Sequence, residues 1–437
     1  MSQAETVLCP ALMLSGIASG QGKTTITAAL ARYHRNQGRD VRVFKFGPDY
    51  LDPQILSAAS GKPVEQLDMW MGGEAYCRQK LYEAACEADL ILIEGAMGLL
   101  DGVPSTADLA VTFGIPVAVV LNAKGMAQTT AALAYGIAHY RTDFQFHGLI
   151  ANALGSQRHA ELIEEAMPED VKLLAALRRD DEVVLPERHL GLVQPGEQFD
   201  LNGRLEAGAR WIAESPLTEL PPAVAFSDQH IPAPPKLLEG KRIAIAKDEA
   251  FSFVYAANLR LLEAMGAELS FFSPLADQPV PESDAIWLPG GYPELHADKL
   301  GSCKTTQAGL HLAFEANTPI LAECGGMLFV QQTLTDLEGN CYTMAGLIPG
   351  HGAMRGRRGC QGMQSAMLPE GEVRAHAHHR SRSHDTLEPI SHGKRQRHPA
   401  PGEAIYRSRA LTASYLHLFF PANPEAIAQL LSDPQQN

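Results

Sequence analysis

Cys324 is followed by two glycines and preceded by the apolar run Pro319-Ile-Leu-Ala-Glu323. A short buried strand ending in a sharp turn would push this thiol into an open site. The N-terminus of a helix opened by Gly325 would draw the thiol pKa below its usual value of about 8.5. A thiolate placed in this way attacks carbonyl carbon and needs a base. Of the 16 histidines, His417 in Ala413-Ser-Tyr-Leu-His-Leu-Phe-Phe420 lies in a compact strand-like run near the C-terminus and is the candidate base. The plain alternatives are a buried structural thiol at Cys324 and a satisfied core histidine at His417. The Gly325 N–H, together with that of Gly290 or Gly291 in Trp287-Leu-Pro-Gly-Gly-Tyr-Pro-Glu294, would form an oxyanion hole.

A second chemistry stands near the N-terminus. Gly16-Ile-Ala-Ser19-Gly20-Gln21-Gly22-Lys23-Thr24-Thr25 is a phosphate-binding loop one residue longer than G-x-x-x-x-G-K-[ST]. Its glycines let backbone N–H groups converge on phosphate oxygens, and the following helix contributes its positive end. Lys23 would reach the β- and γ-phosphates, and the Thr24 hydroxyl would ligate Mg²⁺. A glycine-rich turn with a chance lysine is the alternative. Two carboxylate groups fall at strand ends, where such a fold opens its binding crevice. One is Asp49 and Asp52, straight after Val41–Phe46; the other is Glu94, closing Leu90-Ile-Leu-Ile, with Asp101 beyond it. A glutamate capping a buried strand is costly unless a cation compensates it, which makes Glu94 a candidate Mg²⁺ ligand with Asp49 or Asp52. Turn chemistry beside proline and glycine is the alternative for Asp49, Asp52 and Asp101. Asn122 and Asn152 end or follow later strands, where an amide could read a nucleotide base or cap a loop.

These residues need a scaffold. Strand candidates Ala11–Ser15, Val41–Phe46, Leu90–Ile93, Pro116–Leu121, Gly148–Ala151 and Lys172–Ala175 have the near-continuous Val/Ile/Leu character of parallel strands buried on both faces. Lys23–Gln37 reads as the helix after the first of them. Prolines gather between 216 and 235, and βα alternation restarts at Arg242. The expected organisation is α/β throughout, with a first domain over 1–195, a linker over 196–240 and a second domain over 241–437. Segment 354–398 holds nine Lys/Arg, four Asp/Glu and six histidines. It reads as a solvated basic loop; metal binding is an alternative whose spacings match no zinc signature, and a functional role there would be binding of a polyanionic substrate or an interdomain contact.

The 437 residues are 45% hydrophobic and 20% charged, with a net charge of −14, which argues against nonspecific nucleic-acid binding. No apolar run is long enough for a membrane span, and the N-terminus lacks the basic region of a signal peptide. Seven scattered cysteines without a C-x-x-C fit a reducing cytoplasm better than a disulfide framework.

Taken together, the motifs resemble the cobyrinic acid (hydrogenobyrinic acid) a,c-diamide synthase family over essentially the whole length. The marks are Gly16–Thr24, Lys45-x-Gly-Pro-Asp-Tyr-Leu-Asp-Pro53, Glu94-Gly-x-Met-Gly-Leu-x-Asp101-Gly and Leu185-Pro-x-Arg-x-Leu-Gly-Leu192. In the second half they are Lys247-Asp-x-Ala-Phe-x-Phe-x-Tyr255, Pro289-Gly-Gly-Tyr-Pro-Glu294, Ala322-Glu-Cys-Gly-Gly326 and Ser414-Tyr-x-His417. The resemblance implies a P-loop, dethiobiotin-synthetase-like ligase domain and a C-terminal class I glutaminase. In it, Cys324 attacks glutamine, His417 raises its nucleophilicity, and the ammonia is used at the ATP site. There corrinoid carboxylates are activated as acyl phosphates, with Asp49, Tyr50, Leu51, Asp52 and Asp101 at the substrate. ATP and Mg²⁺ are the implied cofactors, with Thr24, Asp49 and Glu94 around the metal, and a homo-oligomer is compatible with all of this.

The sequence departs from the family pattern twice. Phe419 stands where class I glutaminases carry a glutamate two residues after the histidine. Arg374-Ala-His-Ala-His-His-Arg-Ser381 replaces Arg-Gly-His-Glu-Phe-His-Tyr-Ser. The same machinery acting on another tetrapyrrole, such as nickel-sirohydrochlorin, and a non-catalytic nucleotide-binding regulator are the rival readings.

Overall fold

A computed structural model describes residues 5–188, 191–356 and 359–432. Two compact units emerge, Met1–Ile231 and Pro232–Asn437. His189 and Leu190 of the Leu185–Leu192 motif lie outside the described residues.

The first unit is built on strands β1 (Thr6–Gly16), β2 (Val41–Phe46), β3 (Glu65–Leu67), β4 (Leu90–Glu94), β5 (Val117–Asn122), β6 (Phe146–Leu154) and β7 (Leu173–Arg178). Their order is β3-β2-β4-β1-β5-β6-β7, and every pair in that path is parallel. Period-two alternation divides their apolar residues between two buried layers. Leu12, Leu14, Val43, Leu92 and Val120 face one core, while Ala11, Met13, Phe44, Ile93 and Val119 face the other. Helix α1 (Lys23–Asn36) follows β1 directly, so the Gly16–Gly22 loop lies at the C-terminal edge of the sheet beside the ends of β4 and β5.

The structure differs from the expected linker over 196–240. Residues Leu201–Ile212 form a helix whose Leu201, Leu205 and Ile212 join the core beneath α1. Arg32 of α1 donates to Asn202 Oδ1 and Glu206 Oε1, both at 2.8 Å. Ala223–Ser227 then pairs antiparallel with the first half of β1. The helix carries its apolar residues at i, i+4 spacing, a signal that the prolines on its C-terminal side obscured.

In the second unit, strands Glu268–Phe272, Arg242–Ala246, Ala285–Leu288, Ile320–Glu323 and Leu411–Ser414 run parallel in that order. The sheet continues antiparallel through Pro401–Ser408, Ser391–Arg395, Cys360–Leu368, Gly371–His379 and Leu416–Leu418. The supposed basic loop at 354–398 therefore supplies much of this half of the sheet. Val373, Ala375 and Ala377 alternate into the core, and His376 and His379 are buried as well. Counting charges hid a period-two strand.

Candidate active site

Cys324 caps the Ile320–Glu323 strand with φ 47° and ψ −99°, a conformation that non-glycine residues rarely adopt. Holding it costs on the order of 1–3 kcal/mol, which the surrounding structure must supply. The Cys324 N–H is tied to Ser414 O at 2.7 Å, and Gly326 N–H to Pro289 O at 3.0 Å. The elbow is thus pinned to the strands on both sides. A Cβ on Gly325 would stand 3.0 Å from Gly291 N, which brings the three candidate oxyanion glycines together. The thiol donates to His378 O at 3.8 Å. Contrary to the expected depression, burial pushes its pKa well above the ordinary thiol range, with Glu294 adding to the effect and the Gly325 N–H opposing it. The six-residue helix Gly325–Val330 does not overcome that desolvation.

His417 lies on the Leu416–Leu418 strand directly opposite His376. Its ring covers Gly290, so closely that a Cβ there would collide with the imidazole. His376 and His378 pack edge to face at 5.7 Å. Burial, reinforced by these neighbouring imidazoles, holds His417 well below its usual pKa. A neutral imidazole is the form that can accept a proton from a thiol. Gly290→Ala should therefore displace His417 and lower glutamine hydrolysis by roughly 10²-fold while ATP binding is unchanged, as measured by glutamate release and nucleotide titration.

One residue that sequence reasoning missed is Glu323. It is fully buried, and its Oε1 accepts the Leu418 N–H at 2.8 Å while Oε2 accepts Trp287 Nε1–H at 2.9 Å. Although Phe419 occupies the usual glutamate position, a carboxylate still braces the histidine strand, through the backbone next to His417. The available signal was a charged residue at the end of a buried strand. Burial raises the Glu323 carboxyl from 4.5 to about 8, against the pull of its two donors. The native state therefore holds this proton more tightly than the unfolded chain. Its contribution is fully present below pH 4.5 and is lost as pH rises through 8. Glu323→Gln stays neutral at every pH. Relative to wild type, its stability in urea should improve by at least about 1 kcal/mol between the ends of that window. A constant difference would show that Glu323 does not titrate there.

At the phosphate loop, Gly20 and Gly22 adopt φ 72° and 92°, the left-handed region that lets successive N–H groups turn toward one point. Lys23 Nζ donates to Ala18 O at 3.2 Å and Met97 O at 2.8 Å, and burial lowers its pKa. Ser19 is exposed and Thr25 half-buried on the first turn of α1. Asn152 Nδ2 donates to Gln21 O at 2.9 Å, and Gln21 Oε1 accepts the Asn122 N–H at 2.8 Å. These two asparagines brace the loop, and Asn122 Oδ1 also accepts the Lys124 N–H at 3.0 Å.

The carboxylates converge on a lysine. Lys45 and Glu94 are register partners on β2 and β4, and Lys45 Nζ lies 2.7 Å from both Glu94 Oε1 and Asp52 Oδ2. Thr24 Oγ1 donates to the same Glu94 oxygen at 2.8 Å. Burial alone would discharge Lys45, but Asp52 and Glu94 hold it firmly protonated. Burial also raises Glu94, whose Oε2 is enclosed without a hydrogen-bond partner among the described residues. Asp49 Oδ1 accepts the Leu51 and Asp52 N–H groups at 2.9 and 3.2 Å, and Asp101 Oδ2 accepts Gly98 N–H at 3.1 Å. Both thus make the turn contacts open to them. Tyr50 and Leu51 are buried. Lys45 was overlooked as a site residue, although a lysine inside Val41-Arg-Val-Phe-Lys-Phe46 is conspicuous in a doubly buried strand.

Residues 12–193 match the CobQ/CobB/MinD/ParA nucleotide binding domain, and residues 242–425 match the CobB/CobQ-like glutamine amidotransferase domain. The chain is 50% identical to a hydrogenobyrinate a,c-diamide synthase of Stutzerimonas stutzeri, covering 97% of this chain and 98% of that one. Identity and coverage are the same for a protein of that name in Pseudomonas aeruginosa. A cobyrinate a,c-diamide synthase of Herminiimonas arsenicoxydans is 48% identical over 96% of each chain. The thiol elbow falls in one matched domain and the phosphate loop in the other, and the likeness runs across both. The chain therefore belongs to the family of hydrogenobyrinate and cobyrinate a,c-diamide synthases.

Proposed function

We propose that this protein amidates the a and c side-chain carboxylates of cobyrinic or hydrogenobyrinic acid, consuming ATP and glutamine. The observation that carries this reading is the presence, in a chain matched over 97% of its length by a named synthase, of a strained thiol elbow together with a P-loop threonine, Thr24, that meets Lys45 on Glu94, with Asp52 on the same lysine.

At the elbow, His417 takes the Cys324 proton as sulfur attacks the glutamine side-chain carbonyl. The Gly325 N–H, with that of Gly290 or Gly291, receives the oxyanion. Collapse expels ammonia and leaves a thioester, which water hydrolyses to glutamate. At the phosphate loop, a substrate carboxylate oxygen displaces ADP from the γ-phosphorus, giving an acyl phosphate. Ammonia attacks that carbonyl and phosphate leaves. The sum is glutamine, water, ATP and a carboxylate giving glutamate, ADP, phosphate and an amide.

Lys23, now held by two carbonyls, is placed to exchange them for phosphate oxygens. The residues present also fit Mg²⁺: the Thr24 hydroxyl, Glu94 with its unpartnered Oε2, and Asp49 and Asp52 form a hard oxygen donor set. The ion would offset charge on the β- and γ-phosphates. All seven cysteines are free, and no helix of the described residues is long and apolar enough to cross a membrane. The free thiols support a cytoplasmic setting.

The test is glutamine-dependent ATP turnover with and without cobyrinic acid, followed by mass analysis of products from cobalt-containing and metal-free substrates. Turnover and the small mass decrease of two carboxyl-to-amide conversions are expected. No turnover in either case would favour the nucleotide-binding regulator.

A further inference from the structure

Three side chains that the amidation chemistry does not use meet in the antiparallel half of the second unit. Cys360 and His379 are register partners on neighbouring strands, and Glu403 comes from Pro401–Ser408. The Cys360 Sγ, a ring nitrogen of His379 and a carboxylate oxygen of Glu403 all lie within 4.8 Å of one another. His379 Nε2 stands 3.3 Å from Glu403 Oε2. That spacing already matches the edge of a tetrahedron with metal bonds of about 2.0–2.1 Å, which is about 3.3 Å.

The tautomer of His379 makes this arrangement informative. Its Nδ1 lies 3.1 Å from Ser381 O, and a carbonyl can only accept, so Nδ1 carries the hydrogen. Nε2 then presents a lone pair to a carboxylate. Among the described residues it is buried without a hydrogen-bond donor, on a side chain only 8% exposed. Two acceptors at that separation repel unless a cation stands between them. A proton would serve that pair, with the Cys360 thiol hydrogen-bonded to Glu403 and Arg395 Nη2 3.8 Å from the other carboxylate oxygen. A metal ion uses all three groups.

The surroundings favour the metal. Gln364 Nε2 lies 3.6 Å from Cys360 Sγ, where an N–H donor supports a thiolate. The same amide's Oε1 accepts the Glu403 N–H at 2.8 Å, tying two ligand-bearing strands together. The Tyr415 ring stacks on His379 at 4.0 Å and 9°, fixing the plane of the imidazole. Outer contacts of this kind orient metal ligands and set their basicity. We propose that Cys360, His379 and Glu403 form a three-ligand site for a divalent transition ion, Zn²⁺ foremost, with a fourth position left to water. Sulfur, imidazole and carboxylate in one set suit Zn²⁺ and are poor partners for Mg²⁺ or Ca²⁺. Binding would release the Cys360 proton.

The test uses the full chain with Co²⁺ as a spectroscopic probe and Zn²⁺ as competitor. Stoichiometric Co²⁺ should give a thiolate-to-cobalt charge-transfer band in the near ultraviolet, and Zn²⁺ should abolish it. Cys360→Ser should remove the band and weaken Zn²⁺ at least about tenfold. Glu403→Gln should keep the band and weaken Zn²⁺ by a similar factor, and Cys324→Ala should keep both band and affinity. Absence of the band from the wild-type protein overturns the proposal and assigns His379 and Glu403 to a proton-bridged pair. A band that survives Cys360→Ser, or that disappears with Cys324→Ala, overturns it equally.

Discussion

Replacing Cys324 with alanine is expected to lower glutamine-supported amidation by roughly 10³-fold or more and to leave ammonia-supported amidation within about twofold. The size of the first effect follows from the chemistry: without the thiol there is no thioester route, and only weak residual catalysis by the oxyanion glycines remains. The small second effect follows from the architecture, since the phosphate loop belongs to a unit with its own cores. Alanine keeps the Cβ, so the elbow retains its φ of 47° and its backbone ties to Ser414 and Pro289. The side chain gives up one long contact to His378 O. The measurement is amide formation with glutamine and with ammonium salt, alongside a denaturation midpoint. Loss of both activities in a folded variant would mean that the thiol does more than release ammonia, and the two-site reading would fall.

Much of this was legible because it rests on local rules. The Gly16–Thr24 loop declares itself through glycines and lysine at fixed spacing. The Cys324 elbow does so through a strand that stops at two glycines. The parallel strands of the first unit showed as continuous apolar runs, and the period-two split between their faces is a consequence of the pleat. What escaped depends on pairing across long sequence separations. Lys45 and Glu94 are strand ends that face one another only once β2 lies beside β4. Glu323 finds Leu418 only when the C-terminal strand returns to the elbow. Cys360 and His379 sit in a stretch whose charge count pointed to solvent, whereas its alternation of Val373, Ala375 and Ala377 pointed inward, and Glu403 joins them from the strand that follows. Composition outweighed periodicity in that reading, and periodicity was the better physical guide.

Glu94→Gln is expected to reduce ATP-dependent amidation by roughly 10²- to 10³-fold while Cys324 still reacts with an alkylating reagent at the wild-type rate. Glutamine can keep its carbonyl oxygen under Thr24 and Lys45 and place its amide where Oε2 has no partner. Lys45 retains Asp52 at 2.7 Å, so no charge is stranded. The fold should therefore tolerate the change, and the loss should report the missing negative charge. Lys45→Met is the informative contrast. It leaves Glu94 and Asp52 enclosed without their cation, and breaking a buried pair in this way costs about 3–5 kcal/mol. That variant should lose stability as well as activity, whereas Glu94→Gln should lose activity alone. Nucleotide titrations with and without Mg²⁺ separate the metal role from simple packing. The strengthening of nucleotide binding by Mg²⁺ in the wild-type protein should shrink at least about tenfold in Glu94→Gln. An unchanged Mg²⁺ effect, or wild-type ATP turnover, would remove Glu94 from the metal site and leave it as the partner that keeps Lys45 charged.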